Sequence, residues 1–376
     1  MKKSPRALYI HIPFCDHICI YCDFYKMIAS TDKQNKYINY LIKEIDLRKD
    51  ELINIDTIYI GGGTPSTLSI ENINKLLNKI NDLIDLKNIK EFTFECNPSD
   101  INIELLKTLK SYNVNRISLG IQSFDDDKLK FLRRNHNRMI ALKAINLIKS
   151  FNSFKINCDL IYGLDFDNLK LIREDLDTLI KENIDHISCY SLIIEDKTIL
   201  NHFISFGYKP LSDEKLAQIF GFVNKFLDKA GYNHYEISNY SKEGCESVHN
   251  LHYWHLDDYI GIGANASGFI NKTHYTNINN LNKYYEGIDN NKLNYLEESH
   301  LSIEEEMDEY LMVGFRLTDG INKYLFKNRF GCDIINVYPK INELINNGLL
   351  IEDEENIKIG EDYLYLMDNI LLKIFN

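Results

Sequence analysis

The chain has 376 residues, 44% of them hydrophobic and 26% charged, the balance of a folded globular protein and not of a disordered or coiled-coil one. That length allows one large domain plus a small one. A formal net charge of -12, with the lysines spread along the chain, excludes a protein that works mainly by neutralising phosphates, so nucleic acid is not expected as a partner.

The basic start MKKSPR is followed by only a short apolar run, interrupted by His11 and Pro13 and lacking a small-residue cleavage site. No apolar run reaches the roughly 20 residues of a membrane span, and a cytoplasmic protein is expected. In that compartment cysteines are poor candidates for disulfides. Cys96, Cys158, Cys189, Cys245 and Cys332 are isolated and read as small buried hydrophobes.

In chain order, the first expected strand is ALYIHI (Ala7 to Ile12), and directly after it comes FCDHICIYCDFYK, with Cys15, Cys19 and Cys22 spaced C-x3-C-x2-C. Three thiolates in one loop can hold three irons of a [4Fe-4S] cube and leave the fourth iron open to a small ligand. The same cysteines suit a zinc ion completed by His11, His17 or Asp16. A helical pattern over residues 36–48 leads to the strand TIYI and the turn GGGTPS, Gly61 to Ser66. Consecutive glycines let backbone groups approach a small polar ligand closely, which favours the iron-sulfur reading one strand-helix unit after the cysteine loop.

The alternation continues with the strands EFTFEC, RISLG, KINCDLIYG and HISCYSL, separated by amphipathic stretches over 69–86, 103–112, 139–149 and 169–181. Strands that alternate with helices form a parallel sheet with right-handed crossovers, and its functional groups gather at the C-terminal ends of the strands. Six such units predict an α/β fold, an open or partial barrel. After about residue 200 come a helix over 213–230, a short strand YEIS, an aromatic and glycine-rich stretch from His249 to Phe269, and a polar Asn-rich segment. From Ile303 onward three helices and the hairpin GLLIEDEENIKIG suggest a small winged-helix-like module. Its acidic surface argues for packing or a protein partner. The expected division is therefore 1–240, a connecting region 241–298 and a C-terminal domain 299–376.

The cysteine loop and the GGGTP turn resemble the radical S-adenosylmethionine (SAM) superfamily. YIHIPFC, FECNPSD, RISLGIQSFDDDKLKFLRRNH, CDLIYGL, YEISNY and HNLHYW narrow the resemblance to the branch of oxygen-independent coproporphyrinogen oxidase, over nearly the whole chain. The resemblance implies a partial (β/α)6 barrel and a cluster held by Cys15, Cys19 and Cys22. It also implies SAM contacts at Tyr9, Tyr21, Gly62, Gly63, Thr64, Glu95, Gln122, Arg134 and Asp159. Within the branch, the oxidases carry a fourth cysteine where this chain has Phe24, and the relatives reading C-D-F are haem chaperones with an HNxxYW motif. That motif implies haem as a third cofactor, with His249 the first candidate ligand and His252, His255 and Cys245 in reserve. A haem-accepting protein, membrane-associated or not, a reductant protein and a homodimer are the partners the resemblance suggests. One departure stands out: GLDFDN, Gly163 to Asn168, replaces the GLPGQT of many relatives, and an altered loop is expected there.

Overall fold

Each of the six apolar runs forms a strand, and the six lie side by side in parallel in chain order: β1 (Ala7–Ile12), β2 (Thr57–Gly62), β3 (Glu91–Cys96), β4 (Arg116–Gln122), β5 (Lys155–Tyr162) and β6 (His186–Ser191). The computed structural model describes residues 5–375. Parallel neighbours require a return across the sheet. Helices α1 (Thr31–Leu47), α2 (Ile70–Leu83), α3 (Ile103–Ser111), α4 (Asp126–Phe131), α5 (Arg138–Lys149) and α6 (Leu169–Lys181) supply it. Ser30, Ser69, Asn102, Asp125, Asn137 and Asn168 start them by accepting a backbone N–H from the first turn. Helix α4 has no counterpart in the periodicity, since its six residues are too few to show a repeat.

Alternation along each strand divides the sheet into two faces. Leu8, Ile10, Ile58, Ile60, Phe92, Phe94, Ile117 and Leu119 pack with Leu41, Ile45, Leu76 and Leu77 of the helices into one buried core. The intervening residues, among them Tyr59, Glu95, Ser118, Asp159 and Ser188, line the lumen.

Past β6 the chain forms α7 (Ile199–Ile204), α8 (Asp213–Lys229), β7 (Asn233–Glu236) and β8 (Asn239–Ser241), with β8 antiparallel to β6. Then α9 (Val248–Trp254) carries the HNLHYW motif, and β9 (Tyr259–Ile262) returns to pair in parallel with the opposite edge, at β1. The strands β10 (Ser267–Ile270), β11 (Thr273–Asn277) and, after α10 (Leu281–Asp289), β12 (Tyr295–His300) extend that edge antiparallel. The polar Asn-rich segment is thus ordered sheet and helix. Its sequence hides this because β12 is an edge strand with Glu297 and Glu298 exposed, and Asn280 serves as an N-cap.

The last part contains α11 (Ile303–Gly314), β13 (Ile321–Asn322), α12 (Lys323–Phe330), α13 (Ile334–Val337), α14 (Lys340–Asn346), the hairpin β14 (Leu350–Glu352) and β15 (Asn356–Ile359), and α15 (Met367–Phe375). Leu311, Phe315, Phe326, Ile341 and Ile357 are its core, and Phe269 of β10 and Phe220 of α8 join them, so this part packs against the sheet edge and α8.

The GLDFDN turn is built by its second acid. Buried Asp167 accepts from the amides of Gly163 (2.8 Å) and Leu164 (3.0 Å) and from Lys128 Nζ (2.8 Å), while Gly163 takes the left-handed φ of 116° that the turn requires. The buried Lys128–Asp167 ion pair holds the turn. Gly221 in α8 is a different case: a Cβ there would meet nothing within 4 Å. Gly221→Ala is expected to stabilise the protein by about 0.5–1 kcal/mol in thermal or denaturant unfolding, because the helix interior no longer carries the backbone entropy of glycine.

Candidate cluster and cofactor site

The cysteine loop leaves β1 and is tied shut at its base. Met27 donates to Pro13 O (2.7 Å) and Cys15 to Met27 O (3.0 Å), with Phe14 and Met27 forming an isolated parallel bridge. The GGGTP turn closes on the same point: Gly63 N donates to Ile12 O (2.8 Å) and Thr64 N to Phe14 O (2.7 Å). A Cβ on Gly63 would stand 2.7 Å from Phe14 O, 2.9 Å from Phe14 N and 3.0 Å from Cys15 Sγ. Only glycine lets the turn seat the loop.

Cys15, Cys19 and Cys22 are free thiols that open on one cavity of about 450 Å³ at the C-terminal mouth of the barrel. Their environments differ. Burial pushes the Cys15 thiol up to about 11 and also raises Cys22. Burial acts on Cys19 as well, but the His17 hydrogen bond (3.8 Å) and the Arg134 guanidinium (3.2 Å) outweigh it and bring that thiol down to about 7.

Tyr21, Gly62, Gly63, Thr64, Glu95, Gln122, Arg134 and Asp159 line this same cavity. Glu95 accepts from Tyr59 OH (2.7 Å) and Gly62 N (3.0 Å); burial, with Asp159 adding to it, lifts its carboxyl to about 7. Arg134 spends Nη2 on Asn97 Oδ1 (2.6 Å) and Gly120 O (2.7 Å). Its Nε is buried without a partner, as is Gln122 Oε1. Gln122 has a left-handed φ of 67° where the β4–β5 register shifts, strain of the kind that re-aims side chains at binding sites. Two unsatisfied buried polar atoms in one cavity mark a polar ligand's place.

Tyr9 and His249 are not brought to this cavity. Tyr9 OH is bonded to His11 Nδ1 (3.0 Å) and faces a neighbouring cavity. His249 is fully buried, its Nδ1 3.0 Å from Thr57 Oγ1 and its Nε2 2.8 Å from Tyr253 OH, and burial lowers its pKa to about 3. In this conformation it offers no free nitrogen to an iron. His252 is likewise held twice, by Asp257 (2.9 Å) and Asp56 (3.1 Å), while His255 is exposed.

The residues that pattern reading missed are mainly polar ones on the lumen face. Thr93, Asn97, Ser118, Asn157, His186 and Ser188 line the cavity. Asn157 joins Ser118 (2.7 Å), Asp159 (2.8 Å) and His186 (2.6 Å) in one hydrogen-bonded row. The signal was there in the strict two-residue spacing of polar residues within otherwise apolar strands. Below them Glu91 pairs with Arg116 (3.0 Å) and accepts from Val248 N (3.0 Å) and His249 N (3.1 Å), so the start of α9 closes the barrel floor.

The donor set fits a cube. Among the described residues no three His, Cys, Asp or Glu side chains gather as a single-ion site, whereas a [4Fe-4S] cube seats each thiolate on its own iron and needs only three thiols around one cavity. The open barrel and this cysteine-and-glycine mouth define a radical SAM protein, and the radical SAM superfamily pattern matches residues 9–179, with the HemN C-terminal domain pattern over 301–360. The chain is 36% identical to heme chaperone HemW of Lactococcus lactis, over 99% of this chain and 98% of that one. It is 34% identical to heme chaperone HemW of Bacillus subtilis (94% of each) and 33% to that of Escherichia coli (100% and 99%). The chain belongs to this HemW family of the radical SAM superfamily. In fold it matches the solved Escherichia coli coproporphyrinogen III oxidase HemN with a TM-score of 0.85 at 20% identity, over 99% of this chain and 90% of that one.

Gly63→Ala tests the seat of the loop. The added methyl meets the backbone N and O of Phe14 and cannot be relieved by a side-chain shift. The variant is expected to fold and yet lose most iron and sulfide after anaerobic reconstitution, measured by metal analysis and visible absorption.

Proposed function

We propose that this chain is a haem chaperone that binds haem, carries a SAM-ligated [4Fe-4S] cluster and passes haem to an acceptor protein. The full-length likeness to heme chaperones supports this reading. The observation that carries it within the chain is Phe24, which occupies the place of the fourth cysteine of the oxidase branch and stands 64% exposed at the mouth of the cavity.

Cys15, Cys19 and Cys22 would hold the cluster in this proposal and leave one iron open to SAM. A bound cluster would supply an electron for reductive chemistry on SAM. The chain's own residues bind and orient. The unpartnered Nε of Arg134 meets a carboxylate, Gln122 offers an acceptor, and the backbone at Gly62, Gly63 and Thr64 admits the methionine end. Glu95 accepts from the amino N–H or the ribose hydroxyls, with Tyr21 and Asp159 on the cavity wall. Tyr9 acts one step removed, through His11. The proposed organisation keeps the barrel (1–240), a connecting region (241–298) whose strands β9 to β12 continue the barrel sheet from β1, and the C-terminal domain (299–376). A cytoplasmic site of action, a reductant protein and a homodimer belong to the same proposal. No helix among the described residues is long and apolar enough to cross a membrane.

Anaerobic incubation with coproporphyrinogen III, SAM and a reductant separates carrier from oxidase. No protoporphyrinogen is expected, while haem-loaded protein transfers haem to an apo-acceptor; formation of protoporphyrinogen overturns the proposal.

The SAM role of Glu95 has a pH signature. Its carboxyl titrates near 7, so lowering the pH adds a proton and removes the negative acceptor. SAM affinity of the cluster-loaded protein is expected to weaken as the pH falls through that range. Glu95→Gln should bind weakly and lose the share of that pH dependence that the carboxylate supplies, in calorimetric titration across the same range.

A further inference from the structure

We infer that a groove beside the cysteine loop binds a small organic phosphate. The site goes beyond the haem and SAM roles, and its lining shares no residue with the cluster cavity. The groove measures about 560 Å³ and lies where three parts of the chain meet: the returning end of the loop (Tyr25, Met27), the start of α1 (Lys33, Lys36) and the first half of α10 (Tyr285). That size lies within the roughly 300–1,000 Å³ of small-molecule sites. Met27 also closes the base of the cysteine loop, through Pro13 O and Cys15 N, so a ligand here touches the segment that holds the thiols in place.

Charge sets the kind of ligand. The chain carries 55 acidic residues against 43 basic ones, and yet no Asp or Glu lines this groove. Lys33 and Lys36 both line it, and neither forms an ion pair among the described residues; the Lys36 ammonium lies 4.7 Å over the Tyr285 ring. The Asp289 carboxylate, at the other end of α10, is already bonded to Tyr40 OH (2.6 Å) and Lys43 Nζ (2.9 Å). Two ammonium groups without counter-ions beside one groove favour an anion. The nine-residue α10 starts at the same place, capped by Asn280, which accepts from the amides of Asn282 and Lys283 (both 3.1 Å). Its positive end adds to the lysines' potential.

Tyr285 is the independent sign of a ligand. It is only 6% exposed, and its hydroxyl is buried without a hydrogen-bond partner. Its ring is held by Tyr40, with centroids 4.3 Å apart, so the hydroxyl cannot swing out to water. A buried hydroxyl left unpaired costs free energy, and a bound acceptor removes that cost. Phosphate suits this set of donors: its oxygens accept from several groups at once, and lysine meets it as a point charge. The Tyr25 ring and the Met27 thioether offer apolar surface to the organic part of the molecule. A flat bilayer surface cannot reach a hydroxyl so placed, which favours a soluble phosphate over a lipid headgroup.

Calorimetric titration of the cluster-loaded full chain with pyrophosphate and with AMP, SAM being present in excess to fill the cluster cavity, tests the site. Saturable binding that weakens as salt rises is expected. Lys36→Gln should weaken it at least fivefold and Tyr285→Phe about tenfold. Because Tyr285→Phe deletes a hydroxyl that has no partner, the ligand-free variant should melt no lower than wild type, which separates lost binding from lost folding. Lys170→Gln, on the exposed side of α6, changes the net charge equally and should bind as wild type does. Wild-type affinity in both Lys36→Gln and Tyr285→Phe overturns the site. So does a wild-type chain that binds neither probe, or that binds only vesicles containing phosphatidylglycerol.

Discussion

No side chain fits without displacing a neighbour on the last two residues of β2 or on the residue after them, and the site is assembled around that prohibition. A Cβ on Gly61 would lie 2.8 Å from the Glu95 carboxyl group, one on Gly62 2.5 Å from the His11 ring, and one on Gly63 2.7 Å from Phe14 O. Three successive residues thus receive three approaches: from β3, from β1 and from the cysteine loop. Gly62 also requires its φ of 115°, and the amide so presented is what Glu95 accepts from. The lumen carboxylate, the closed loop and the route of backbone toward a small ligand depend on one short stretch without side chains.

Much of this was legible because it is local. Cysteine spacing, the glycine run and the helix and strand periods all occupy a few residues each, and the parallel order follows from their alternation. The lumen wall was written in the strands too, in Asn157 and Asp159 of β5 or His186 and Ser188 of β6, but a run rich in Ile and Cys reads as apolar unless its two faces are separated. What could not be read is the link between Glu91 and the start of α9. It joins residues more than 150 positions apart, and nothing at either end announces a partner. For the same reason HNLHYW reads as a candidate ligand motif, whereas the fold turns its histidine inward, bonded at both nitrogens.

The barrel floor explains that turn. A buried carboxylate and guanidinium are costly to desolvate unless their remaining hydrogen-bonding capacity is filled. Glu91 fills it with Ser247 Oγ (3.1 Å) and the amides of Val248 and His249, while Arg116 gives Nη2 to the carbonyls of Cys245 (2.6 Å) and Glu246 (2.7 Å) and keeps only Nη1 without a partner. The ion pair is thereby a socket for the segment 245–249. Seated in it, α9 places His249 against Thr57, and one turn later it sends Tyr253 and Trp254 to the outer cavity. One short helix closes the inner chamber and furnishes the outer one.

The fold alone does not separate a carrier from an oxidase, since this chain shares its architecture with a coproporphyrinogen oxidase at only 20% identity. The proposal places the separation at the rim. In the lumen, hydrogen-bonded Asp159, Asn157 and His186 make a polar chamber beside the thiols. Across Phe24 the walls turn aromatic. A carrier must also release what it holds, which argues against a fully enclosed ligand site. The cavity beyond Phe24, bounded by barrel strands on one side and by Glu309 and Val313 of α11 on the other, is open in that sense.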